Sequence, residues 1–281
     1  MEKKAGKIFK ALGIKANTIK TITNGQVNLV YIINDKFILR IPKKGKKPDY
    51  HREAKIHQML SFMPIPTIIK VDTTKRLVPF HYMIETLIPG ELWLESPKLE
   101  KDTKLYYKAG ELLRKLHQQK LKHVTDFNLK PKKSWTTLFN KMLEEEQKKL
   151  PKNLQAKVKL KENEDTSTRS FCLDDFNEGN SMIKGSKITG IIDLEQLRIT
   201  PINFCFVTIL DRMFEFSLPL KVDTFKHQTL AREFLRGYGK KLKIDLSLLK
   251  KYLYYHYAFM FNRMKDKELY KKKIKQLKNV L

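Results

Sequence analysis

The first third of the chain alternates short apolar runs with turn pairs. Residues 18–23 (TIKTIT), 27–33 (VNLVYII) and 36–41 (KFILRI) are rich in β-branched and aromatic side chains. Asn24-Gly25 and Asn34-Asp35 separate them, so three strands joined by tight turns are predicted. Residues 50–61 have helical character, and 77–84 (LVPFHYMI) reads as a strand running into the segment 85–90. Further along, the apolar spacing becomes helical over 100–119 and over 134–150, the latter bracketed by Pro131 and Pro151. The polar stretch 151–169 predicts a flexible connection or a loosely packed helix. After it, helices are expected at about 201–216, 223–240, 246–264 and 266–279. No internal repeat is evident. The pattern is that of an α+β chain, strand-rich first and helical afterwards.

Between the two helical regions lies FCLDDFNEGN, residues 171–180, followed by SMIKGSKITGIIDLE. Gly185-Ser186 is a turn signal between two short β-prone runs, so 181–192 reads as a hairpin ending at Asp193. Asp175 and Asn180 are five positions apart, and a second acid follows a hairpin; a protein-kinase catalytic loop spaces its base and its two metal ligands in this way. A transferred phosphoryl group needs divalent metal held by hard oxygen ligands and a carboxylate aimed at the attacking hydroxyl. Asn180 and Asp193 are the candidate metal ligands and Asp175 the candidate base. Taken singly, Asp and Asn are common turn formers; the hairpin and the acid beyond it give the set its meaning.

A kinase also needs a nucleotide-holding lobe with a cation on its third strand and a Glu on the next helix. Arg40 lies on the third predicted strand and Glu53 on the helix after it. A guanidinium forks onto phosphate and carboxylate alike, so arginine can serve where protein kinases use lysine. The plainer alternative for Arg40 is a surface charge on a strand. Asn24 and Gly25 form the candidate phosphate-covering turn. Segment 85–90 has the character of a hinge, where main-chain groups of Ile84 and Thr86 would hold a purine, ATP or GTP. The expected architecture is a protein-kinase-like two-lobed fold: a small β-rich N-terminal lobe over 1–88 and a larger, mostly helical lobe over 89–281.

These segments resemble the aminoglycoside phosphotransferase and choline/ethanolamine kinase superfamily. FILRIPKKGKK with HREAKIH is similar to the third strand and following helix of bacterial choline kinases, and CLDDFNEGN to their loop Cys-His-Asn-Asp-Leu-x-Glu-Gly-Asn. YMIETLIPGE and ELLRKLHQ look like the hinge and the helix ending Leu-His. The resemblance covers about residues 18–215 in order. It implies a small-molecule kinase using Mg2+ and ATP or GTP, with choline or a related amino alcohol as acceptor and an aminoglycoside, thiamine or a sugar as alternatives. The chain departs from the pattern at Leu173-Asp174, where the family carries a loop-supporting His pair. It departs again at Asn203-Phe204-Cys205-Phe206, where an Asp-Leu-Ala is common. A catalytically degenerate, nucleotide-binding relative is therefore the second reading.

The aromatic run 252–261 (YLYYHYAFMF) puts Tyr254, Tyr257 and Phe261 on one helical face. Aromatic faces with nearby acids suit a quaternary ammonium, so these residues, with Glu195, Asp211 and Glu215, are the candidate acceptor contacts; a core helix is the plainer account. Trp93 and Trp135 read equally well as packing residues or as ligand contacts. With 57 Lys and Arg against 30 Asp and Glu, the 281-residue chain carries a formal charge of +27. The lysines are scattered, which reads as a solvated basic surface. RNA binding is the contrasting reading and has no motif to support it. Cys172 and Cys205 sit in apolar surroundings without metal-ligand spacing and are expected to be reduced, in a cytoplasmic protein. The start, MEKKAGKIFKALGIK, interleaves lysine with apolar residues and predicts no targeting signal; no apolar stretch is long enough for a membrane span.

Overall fold

The computed structural model describes residues 2–22, 27–214, 227–239, 245–279 and 281. Helix α1 (Glu2–Ala11) precedes the strands β1 (Ile19–Ile22), β2 (Asn28–Ile33) and β3 (Phe37–Pro42). Helix α2 (Tyr50–Met59), β4 (Ile68–Asp72) and β5 (Tyr82–Thr86) follow. The strands form one antiparallel sheet in the order β1-β2-β3-β5-β4. Asn34 and Asp35 take the left-handed angles their turn requires (φ 54° and 50°), so Ile33 pairs with Phe37 and the β2–β3 register is set. Ile8 and Phe9 of α1 pack with Tyr31, Ile33, Leu39 and Ile41 in a closed apolar cluster.

Helix α1 and strand β4 were not expected from the sequence, nor were the later strands at Glu91–Leu92, Val124–Thr125, Pro131–Lys132, Arg169–Leu173 and Leu197–Pro201. The strand expected over 77–84 begins only at Tyr82. Pro79 lacks the N–H a ladder needs, which explains the late start.

The strand β6 (Glu91–Leu92) precedes α3 (Thr103–His117), β7 (Val124–Thr125), β8 (Pro131–Lys132), α4 (Trp135–Gln147) and β9 (Arg169–Leu173). Then come β10 (Ser181–Lys184), β11 (Lys187–Ile191), β12 (Leu197–Pro201), α5 (Ile202–Phe214), α6 (Gln228–Tyr238), α7 (Leu246–Arg263) and α8 (Glu268–Lys278). Residues 151–168 hold only a short 3-10 turn at Lys152–Leu154. The chain divides into two compact units. One holds Met1–Leu92, Ser181–Gly185 and Thr189–Glu195; the other holds Trp93–Asn180, Ser186–Ile188 and Gln196–Leu281. The expected hairpin is present as β10 and β11, and Gly185 turns it at φ 63°.

In the second unit, α4, α5 and α7 interlock through Trp135, Phe139, Phe204, Tyr252 and Tyr255. Side-chain caps fix the helix starts: Asp102 for α3, Ser134 for α4 and Asp245 for α7. Helices α3 and α6 meet at two glycines. A Cβ on Gly110 would lie 2.0 Å from the Phe234 carbonyl oxygen, and one on Gly237 would lie 1.9 Å from that of Tyr107. Only glycine lets these backbones touch. No helix among the described residues is long and apolar enough to cross a membrane.

Candidate active site

In the first unit β3 presents Arg40 and α2 presents Glu53, and the two form an ion pair in which Glu53 is buried. The same guanidinium lies 3.4 Å from Glu195 and 3.9 Å from Glu85. Arg52 donates to the Glu195 carbonyl at 2.9 Å. Burial pushes Glu53 up to about 7, against the pull of Arg40 and with help from Glu85 and Glu195. Burial also raises Glu85 and Glu195, and the Asp193 carboxylate adds to both shifts. Glu53, Glu85, Asp193 and Glu195 thus crowd a region where Arg40 and Arg52 are the cations. This excess of hard, negative oxygen suits a magnesium ion. Asp193 itself adopts φ 57°, a left-handed conformation uncommon outside glycine.

Ile84 lies in the middle of β5, between Leu39 and Lys70 on the flanking strands. The Thr86 N–H donates to the Thr67 carbonyl at 2.9 Å, and its hydroxyl accepts from the Thr67 N–H at 2.9 Å. A purine at this strand would therefore use main-chain groups other than the Thr86 N–H. Asn24, Gly25 and Glu215 lie outside the described residues.

In the second unit the loop after β9 is tied by its own amides. Asn177 and Asn180 each donate from Nδ2 to the Asp175 carbonyl at 3.0 Å, and Asn177 Oδ1 accepts from the Gly179 N–H at 2.7 Å. Committing the Asn180 nitrogen leaves its oxygen as the atom to offer a metal. The Asp175 carboxylate is half-buried and pairs with Arg212 of α5. Asp174 turns inward to Arg198, a fully buried arginine of β12. The β9–β12 register places Arg198 opposite Cys172, with Asp174 two positions on along the same face. Phe127 and Phe204 flank the Arg198 guanidinium at 4.1 and 5.0 Å. At Leu173-Asp174, where the sequence departs from the resembling family's pattern, the chain carries a buried ion pair. Neither Arg198 nor Arg212 was found by sequence reasoning; isolated arginines have no contrast in so basic a chain.

Glu178, two residues before Asn180, is buried in the same loop, and burial pushes its carboxyl up to about 7. A raised acid holds its proton in the fold after the unfolded chain has released it. The stability this contributes is fully present below about 4.5 and is lost as pH rises through about 7. Glu178→Gln should abolish that part of the pH dependence. Melting temperatures of wild type and variant between pH 4.5 and 8 should diverge across this window; parallel curves would refute the assignment.

The candidate acceptor contacts are placed as follows. Tyr254 is enclosed and donates to the Leu154 carbonyl at 2.9 Å. Tyr257 donates to Asp211 at 3.0 Å, and Phe261 is buried on the same helix. Asp211 is buried and takes Lys273 at 3.0 Å, with His256 at 3.3 Å. Burial works to raise Asp211, but His256 and Lys273 hold its carboxyl below the usual range. Glu195 belongs to the Arg40 cluster of the first unit. Trp93 is fully buried, and Trp135 donates to Tyr252 at 2.8 Å, so both are packing residues.

An antiparallel sheet with an Arg–Glu pair, a helical unit, and an Asp-x4-Asn loop leading into a hairpin are the parts of a kinase-like phosphotransferase. The sequence reaches the same class by a separate route. The model of the phosphotransferase enzyme family known as APH matches residues 18–243, and the chain belongs to that family. Among solved structures, it is similar to a candidate aminoglycoside phosphotransferase from Ralstonia eutropha JMP134, at 10% identity and a TM-score of 0.66, covering 99% of this chain and 95% of that one. It is also similar to ADP-bound aminoglycoside phosphotransferase APH(2'')-Ib, at 17% identity and 0.57, covering 96% and 95%. Spectinomycin phosphotransferase APH(9)-Ia, solved with ADP and spectinomycin, matches at 14% identity and 0.59, covering 99% and 93%. Likeness at these identities establishes the kinase-like α+β fold. No curated protein matches the chain in sequence.

Proposed function

We propose that the chain transfers the terminal phosphoryl group of ATP or GTP to a hydroxyl of a small-molecule alcohol. The observation that carries this reading is the loop 173–180. It clamps the Asp175 main chain with two amides while leaving the carboxylate partly open to solvent. Asp175 accepts or orients the hydroxyl proton. Arg40, fixed by Glu53, holds nucleotide phosphate. Asn180 and Asp193 are each a candidate ligand for magnesium, which when bound would neutralise charge on the phosphoryl oxygens. The choline-kinase resemblance of 37–57 and 172–180 makes choline or an amino alcohol one acceptor class to test, beside aminoglycosides, thiamine and sugars. Free, buried Cys172 and Cys205 suit a cytoplasmic enzyme.

The test is nucleoside-diphosphate release with ATP and with GTP across these acceptors, run beside nucleotide-dependent thermal stabilisation. A phosphotransferase shows acceptor-dependent release. Stabilisation without release supports the degenerate reading instead, and the absence of both overturns nucleotide binding altogether. Retention on heparin and steeply salt-dependent RNA binding would favour the nucleic-acid reading.

A further inference from the structure

We propose that the acceptor is an uncharged, hydroxyl-rich molecule of the sugar or polyol class, and that Arg212 is the residue that selects it. The proposal rests on the reading of Asp175 as base and narrows it.

Features that would receive a cationic alcohol are already filled by the chain's own cations. Lys273 sits 5.0 Å from the Tyr257 ring centre and Lys267 sits 5.2 Å from that of Phe261. The faces suited to a quaternary ammonium thus carry internal ammonium groups. Lys273 also neutralises Asp211, whose side chain is 2% exposed. Displacing that lysine by a ligand would leave a buried carboxylate unpaired, a costly state. Two further acids of this unit are engaged in the same way: Glu146 by Arg263 and Glu164 by Lys251.

At the base itself, charge is balanced. Asp174 has Arg198 and Asp175 has Arg212. An ammonium group close to Asp175 would meet the Arg212 guanidinium, a like charge in a partly desolvated place. A neutral hydroxyl meets no such opposition. Next to the base, Arg198 and Arg212 with Asp174 line a common cavity of about 10 Å3 that Asp175 does not itself line, room for roughly one water-sized oxygen. The Nε–H of each is buried without a hydrogen-bond partner among the described residues. Such donors match oxygen lone pairs and have nothing to offer an ammonium.

The experiment measures kcat/KM with ATP and magnesium for glucose, ribose and glycerol against choline, ethanolamine and kanamycin, using wild type, Arg212→Gln and Arg212→Lys. Wild type should prefer at least one uncharged acceptor over every cationic one by roughly tenfold or more. Arg212→Gln should shrink that ratio at least tenfold, and Arg212→Lys should keep it. Loss of the cation should also move the acidic limb of the kcat/KM profile to higher pH in Arg212→Gln, which a merely structural role would not do. Better wild-type turnover of choline or kanamycin overturns the proposal and leaves the kinase reading standing. So does an unchanged ratio and pH limb in a folded Arg212→Gln, or nucleotide binding with no uncharged acceptor phosphorylated. If wild type neither binds nor cleaves nucleotide, the kinase reading itself fails and takes this proposal with it.

Discussion

Asp175→Ala is expected to lower kcat by about 10^3-fold, within the range a positioned proton acceptor supplies. The fold should tolerate the change. The Asp175 and Arg212 side chains are 29% and 20% exposed, between the surface and the fully buried case, so the stability loss should be about 1–3 kcal/mol. The Asn177 and Asn180 amides grip the residue's main-chain carbonyl, which alanine retains. Steady-state kinetics and thermal melts on one preparation separate the two effects. Turnover within tenfold of wild type, in a variant that melts normally, would remove Asp175 from the chemistry.

Arg198→Met should have the opposite profile, a large loss of stability. The arginine is 1% exposed and its partner Asp174 is itself buried. Removing one member of a buried pair costs about 3–5 kcal/mol, because the remaining charge loses its main partner where water cannot replace it. Against a total stability of about 5–15 kcal/mol, that brings the protein near its unfolding threshold. The two flanking rings lose their cation as well. Adding Asp174→Asn should restore part of the loss, since the stranded charge is gone. Chemical denaturation of both variants reads this directly. A cost below about 1 kcal/mol for the single variant, or no recovery in the double, would mean that the pair does not support the loop.

Much of the scaffold was legible because local chemistry and tertiary structure agree. Asn34-Asp35 and Gly185-Ser186 are turns whose backbone angles are those their residues favour, so both hairpins could be read without a partner. The C-terminal helices could be read because their apolar spacing is sustained over three turns or more. Strands β4, β9 and β12 were missed for a common reason: each is five residues long and is held by its neighbour, with no turn pair of its own to announce it. The loop acids could be found by their spacing, five residues and a hairpin apart. Their arginine partners could not, because Arg198 is 24 positions from Asp174 and Arg212 is 37 from Asp175. Only the β9–β12 register and the course of α5 bring them together. Likewise, the aromatic spacing of 254, 257 and 261 gives no hint that lysines from beyond residue 265 already cover two of the rings.

The backbone at residue 193 has a practical consequence. A side chain held at φ 57° carries a penalty of about 1–2 kcal/mol that glycine would escape. Variant libraries screened for heat resistance alone should therefore drift toward glycine at that codon and discard the carboxylate. Screening for turnover should pull the same codon back, so thermotolerance and activity compete there over one side chain.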